Sequence, residues 1–294
     1  MNISHTTDFF IIGAMKTGST TLYDYLQGHA NIALCSPKEP GFFSRDERFL
    51  NGEKWYASLF EKKGGGCLYG DASTCYSRNL TYPDTIRRIH QHNPRAKFIY
   101  VVRDPVDRAT SHYKHRMEER RLHGQPIITL AALIANDSEL LEAGDYALQL
   151  EKYLEFFTKD QFLILTFHEL TQTPIIALRK VSEFLSVNVM STSTIRANES
   201  GNVYQKNTLK NILRSIRYLP IISRVVDILP VESREKVMDF LMWLTSNSFI
   251  GRKISRIHTQ NLPKIRDEDL AFLNNYYQSS ILNLKKITGV VLKP

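Results

Sequence analysis

The stretch FFIIGAMKTGSTTLYDYL, Phe9 to Leu26, decides the fold of this chain. Its first four residues, Phe9, Phe10, Ile11 and Ile12, form a continuous apolar run, as in a strand buried on both faces. The run breaks at Gly13, crosses a short loop of glycine, hydroxyl side chains and one lysine, and enters a helical pattern. A strand that leads through such a loop into a helix N-terminus is a cradle for anions. Backbone N–H groups converge there, the helix dipole favours negative charge, and Lys16 adds a full positive charge. A phosphate-like group is expected in this loop. The bland alternative is a tight turn with Lys16 in solvent.

The loop departs from that of nucleoside triphosphatases. The Walker A pattern is G-x-x-x-x-G-K-[ST]. Here Gly13 and Gly18 have the right spacing, but Ser19 stands where that lysine belongs, and Lys16 lies three positions earlier. The Walker lysine reaches the β- and γ-phosphates. A charge inside the loop suits a shorter, diphosphate-like group, with the hydroxyls of Thr17, Ser19, Thr20 and Thr21 around it.

A second landmark is FIYVVRDPVDRATSHYKH, Phe98 to His115. Ile99 to Val102 read as another buried parallel strand, Arg103 and Asp104 fall at its carboxyl end, and Pro105 suits the first turn of a helix. Arg103 and Ser111 are eight residues apart, so a strand end and the second turn of the next helix face one site. An arginine fork with a serine hydroxyl is a clamp for a terminal phosphate.

Together these segments, Gly13–Leu22 and Val102–Tyr113, resemble the PAPS-dependent sulfotransferases, in particular the bacterial members related to heparan-sulfate and other carbohydrate sulfotransferases. The resemblance implies that Lys16, Thr17, Gly18, Ser19, Thr20 and Thr21 hold the 5′-phosphosulfate, and that Arg103 and Ser111 hold the 3′-phosphate. It also implies that Lys16 stabilises the leaving phosphate and that no metal is needed.

Ser36–Phe43, SPKEPGFF, is similar to the K-E-x-x-F-F segment of the same family, which makes Glu39 the general base on the acceptor hydroxyl. Lys38 either orients Glu39 or attracts an anionic acceptor. Leu68–Tyr76, LYGDASTCY, resembles the next active-site segment, E-K-T-P-x-Y in heparan-type members. Ala72 replaces its lysine and Thr74 its proline, which puts a heparan-like substrate in question. Asp71 is a second acidic candidate on the acceptor side, as a backup base, a partner for Lys16 or a strand-end cap.

With 294 residues and 43% hydrophobic composition, the chain is expected to form one α/β domain over residues 1–294. Parallel strands are predicted at Phe9–Ile12, Phe98–Val102 and Phe162–Phe167, with a shorter one near Cys67–Gly70. Helical patterns at Tyr82–His92 and Asp145–Phe157 lie between them. That alternation predicts an open parallel sheet with ligands at the carboxyl ends of its strands, in a P-loop-like sulfotransferase fold with a helical C-terminal portion. Ile195–Asn207 resembles the family's late loop over the 3′-phosphate. Residues 206–260 read as a helical insertion or lid, and 206–245 as a possible peripheral membrane contact. The tail, Leu262–Leu292, resembles the family's final helix, with Leu270, Leu273, Tyr277 and Leu284 on one stripe.

No targeting segment or membrane span is visible, and three cysteines without metal-ligand spacing fit a reducing compartment, so a cytoplasmic location is expected. The net charge of +8 suits a polyanionic co-substrate, and its scattered basic residues carry no nucleic-acid motif. The expected activity is sulfuryl transfer from PAPS to a hydroxyl of a carbohydrate, glycolipid or other small molecule, giving PAP. The rivals are a P-loop nucleotide or nucleoside kinase and a non-catalytic PAP-binding protein. Sequence does not set the oligomeric state.

Overall fold

The computed structural model describes residues 6–61, 63, 66–189 and 262–292. The expectations for 195–207, 206–245 and 206–260 lie outside the described residues. Those residues fall into two compact units, 6–112 with 131–189 and 266–292, and 113–130 with 262–265. In the second, the Tyr113 hydroxyl donates to the Ile128 carbonyl at 2.9 Å and Arg120 Nε to the Pro126 carbonyl at 2.8 Å, closing the turn after the helix end at Leu122.

The first unit holds a five-stranded sheet. Its strands are β1 (Phe9–Gly13), β2 (Ile32–Leu34), β3 (Leu68–Ala72), β4 (Lys97–Val102) and β5 (Phe162–Thr166), in the spatial order β2-β3-β1-β4-β5. Every pairing is parallel. The predicted strands all form. β2 was not predicted, because three residues, Ile-Ala-Leu, carry no period of their own and become a strand only by pairing with Leu68–Gly70. β3 runs two residues beyond the predicted end, and β5 stops one residue short of it.

Alternation of side chains splits the buried strands between two cores. Phe10, Ile12, Phe98, Tyr100 and Val102 face a cluster with Phe42, Phe43, Tyr56, Tyr76 and Tyr153. Phe9, Ile11, Ile99 and Val101 face the other, with Leu22, Leu26, Leu178 and Val181. Phe9 packs against Gly70, where an added Cβ would come within 2.2 Å of its ring.

Helices cover both faces, including α1 (Ser19–Gln27) and the helices Thr85–His92, Tyr146–Leu154 and Pro174–Leu185, and the helix Pro105–Leu122 follows β4. The C-terminal helix, Asp267–Thr288, buries Leu273, Tyr277 and Leu284, three of the four residues of its predicted stripe. No helix among the described residues is long and apolar enough to cross a membrane.

From β1 the chain winds outward to β2, and from β4 it winds the opposite way to β5. The direction reverses between β1 and β4, and in open parallel sheets that crevice, at the carboxyl ends of the strands, is where ligands bind. The Gly13–Gly18 loop and Arg103 flank it.

Candidate active site

Because the strands are parallel, the segments that leave their carboxyl ends share one edge of the sheet. The Glu39 segment, the 3-10 turn Thr74–Ser77, the Gly13–Gly18 loop, Arg103 and Phe167 follow one another across that edge. Neighbouring strands are about 4.8 Å apart, so adjacent members of this row are one strand spacing from each other.

The central loop is held from both sides. Ala14 N–H donates to the Val101 carbonyl at 2.8 Å, pinning the loop to β4. Gly13 has φ 145°, and a Cβ there would lie 2.4 Å from Ser77 Oγ, so the 3-10 turn packs directly on it. Gly18 is the N-cap of α1 with φ 90°, a left-handed conformation suited to glycine, and no side chain caps the helix. The first amides of α1 have no side-chain cap, as an anion site needs. Lys16 also has a left-handed backbone, φ 69°.

The hydroxyls of this loop divide. Among the described residues those of Ser19, Thr20 and Thr21 make no side-chain hydrogen bond, and Thr20 is exposed. The Thr17 hydroxyl is turned inward instead. It is fully buried and donates to the Ala14 carbonyl at 2.7 Å, closing the loop on itself. That bond engages the hydroxyl proton that the sequence reading offers to a ligand, while the Thr17 backbone N–H makes no part of it.

On the acceptor side, Glu39 N–H donates to the Ala72 carbonyl at 3.0 Å, which brings the segment after β2 to the end of β3, beside β1. Glu39 has φ 62°, unusual for a residue with a Cβ. Lys38 Nζ pairs with Glu39 Oε1 at 2.6 Å, and the Thr74 hydroxyl donates to Oε2 at 3.2 Å. With the Glu39 side chain 45% exposed, its carboxylate is both held and open to a ligand.

From the sequence, Asp71 stays open as a backup base, a partner for Lys16 or a strand-end cap. It lies inside β3 and is completely buried. Its oxygens accept hydrogen bonds from Tyr76 (2.6 Å), Ser73 (2.8 Å), Tyr56 (2.9 Å) and the Cys35 thiol (3.7 Å). Burial pushes its carboxyl above the ordinary 3.8, and the four donors act against that rise. Burial also pushes the Cys75 thiol up to about 11, in line with a small packed side chain.

On the other flank, Arg103 leaves β4 with its guanidinium carbon 4.7 Å from the centre of the Phe167 ring and Nη2 3.1 Å from Asp107 Oδ2. Ser111 lies two turns along the helix Pro105–Leu122, half-buried, with no side-chain hydrogen bond among the described residues. Phe167 touches both halves of the cradle, because a Cβ on Gly18 would meet its ring at 3.2 Å.

Phe167, Thr74 and Ser77 are the members that sequence reasoning missed. Phe167 had a signal in Thr166-x-x-Glu169, a capping box in which each side chain bonds the other residue's backbone N–H. It ends β5 at Thr166 and makes Phe167 the first residue of the helix Phe167–Gln172 rather than the last of the strand. Among the described residues, no group of three His, Cys, Asp or Glu side chains is placed to hold a metal ion.

The chain matches a family model described as "Sulfotransferase domain" over residues 6–217. It is 28% identical over 202 residues to the human bifunctional heparan sulfate N-deacetylase/N-sulfotransferase 2, covering 61% of this chain and 22% of that protein. It is 34% identical over 140 residues to the membrane-associated sulfotransferase kil1 of Dictyostelium discoideum, covering 46% and 29%. The chain thus spans between about a fifth and under a third of the length of these relatives. A solved sulfotransferase from Alicyclobacillus acidocaldarius superposes with a TM-score of 0.54 at 26% identity, covering 74% of this chain and 96% of that one.

Proposed function

This chain belongs to the sulfotransferase domain family, and we propose that it moves a sulfuryl group from PAPS to the hydroxyl of a carbohydrate, glycolipid or other small acceptor, giving PAP. One observation carries this reading: Glu39, tied to the end of β3, the Gly13–Gly18 loop after β1 and Arg103 after β4 stand in that order along one edge of the sheet. A donor with a reactive group at one end and a second phosphate at the other fits such a row.

The residues present suit that donor. Uncapped α1 amides, Lys16 and the hydroxyls of Ser19, Thr20 and Thr21 offer donors to a phosphosulfate, and Arg103 with Ser111 offers them to a 3′-phosphate. When bound, PAPS supplies the sulfuryl group on an activated anhydride. Glu39 takes the proton from the acceptor hydroxyl as its oxygen bonds to sulfur, and Lys38 and Thr74 hold the carboxylate for that role. Lys16 offsets the negative charge that grows on the departing phosphate. In-line placement and charge stabilisation do the rest. The carbohydrate acceptor is proposed because the human relative carries heparan sulfate in its name.

Labelled PAPS screened against sugars, glycolipids, phenols and carrier-bound hydroxyacyl groups identifies the acceptor class. With a working acceptor, Glu39→Gln is expected to lower turnover by about 10² to 10⁴-fold while PAP affinity holds. Lys16→Ala and Arg103→Ala are expected to weaken PAP binding by about tenfold or more, since each removes a charge-assisted contact worth roughly 1.5–3 kcal/mol. Full turnover in Glu39→Gln overturns the base assignment.

A further inference from the structure

One oxygen of Asp71 reaches both ends of the segment that carries Glu39. At the start of that segment, the Cys35 thiol donates to Asp71 Oδ1 at 3.7 Å. At its end, Gly41 N–H donates to Ser73 Oγ at 3.1 Å, and the same Ser73 hydroxyl donates to Oδ1 at 2.8 Å. The other oxygen, Oδ2, accepts from Tyr76 at 2.6 Å. Tyr76 belongs to the 3-10 turn of Thr74, whose hydroxyl donates to Glu39 Oε2. Tyr56 completes the set at 2.9 Å and is itself bonded by the Thr7 hydroxyl at 3.0 Å.

We propose that Asp71 is a positioning residue for Glu39, a buried clamp that holds the 35–41 segment and the 3-10 turn in the one arrangement that presents the Glu39 carboxylate. This rests on Glu39 as the base. Asp71 cannot serve in its place, because it is fully buried and four donors occupy its oxygens. Its value lies in opposing a backbone strain. At φ 62° Glu39 occupies a left-handed conformation that a residue with a Cβ keeps only when its surroundings over-determine it. Asp71 supplies that constraint from both ends. Ser73 is the relay to Gly41, and Tyr76 the relay to Thr74.

The test compares Asp71→Asn and Ser73→Ala with the unaltered chain in three measurements: amide hydrogen exchange, PAP affinity, and release of PAP from PAPS with water as the acceptor. Exchange at the Glu39 and Gly41 amides is expected to speed by about tenfold, the effect of one lost hydrogen bond, while the amides of β1 and β4 hold. PAP affinity and KM for PAPS should stay within about twofold as kcat falls. The acid limb of the pH–rate profile should persist, because Glu39 is still present. Unaltered exchange at Glu39 and Gly41 in both variants overturns the clamp, and loss of the acid limb in Asp71→Asn overturns it in favour of Asp71 as the base. Ser73→Ala keeps the buried carboxylate with its tyrosines, so it carries the test if Asp71→Asn does not fold. Full turnover in Glu39→Gln sinks the base reading instead, and the two failures are thereby told apart.

Discussion

The Arg103 guanidinium stacks on the ring of Phe167, 4.7 Å from carbon to ring centre, although the two residues follow different strands and lie 64 positions apart. The same ring abuts Gly18 at the start of α1. Phe167 therefore joins the Gly13–Gly18 loop and Arg103 mechanically, with a contact that bears on each.

A cation–π contact of this kind is worth about 0.5–2 kcal/mol. Phe167→Ala is therefore expected to weaken PAP binding by about 2- to 30-fold in calorimetric titration. The loss should shrink in an Arg103→Ala background, where the stacking partner is already gone. Equal losses in the two backgrounds would show that Phe167 acts through Gly18 instead.

Gly13 tests the packing between loop and 3-10 turn. A Cβ there would meet Ser77 Oγ at 2.4 Å, and φ 145° is a conformation that L-residues avoid. Gly13→Ala is expected to cost about 1–3 kcal/mol, seen as a lower Tm. Adding Ser77→Ala should recover the part due to the clash and leave the backbone part. No recovery would mean that the dihedral alone sets the cost.

His92 makes stability pH-dependent. Its Nε2 accepts the Thr7 N–H at 3.0 Å, so the ring proton sits on Nδ1, 3.4 Å from Glu53 Oε1. Burial holds its pKa below the ordinary 6.5, with Glu53 pulling less strongly the other way. The unfolded chain thus takes up a proton on this ring before the folded chain does. The contribution is fully present above pH 6.5 and is lost as pH falls through the lower, folded value. His92→Gln should flatten the fall of Tm between about pH 6.5 and pH 5. An unchanged slope in that window would assign the dependence to other groups.

Much of the frame was legible because it depends on local pattern. The apolar runs of β1 and β4, the break at Gly13 and Gly18, and the Arg-Asp-Pro exit from β4 each declare themselves within a few residues. Asp71 was legible as an acidic residue in the right segment but not as a buried one. Two more residues of β3 than its apolar stretch suggested pair with β1, Asp71 opposite Phe10, and that pairing carries its side chain into the core.

By itself, the sequence determined the parallel strands that flank the crevice, the glycine loop that breaks between β1 and α1, and the family, since apolar runs, glycines and motif spacing act through neighbours along the chain. Only the tertiary structure decided that Thr17 closes its own loop, that Asp71 grips both ends of the Glu39 segment, and that Phe167 bridges Gly18 and Arg103. Those contacts are set where strands from distant parts of the chain end side by side, and a hydrogen bond or ring contact across that edge leaves no periodic trace in the residues that make it.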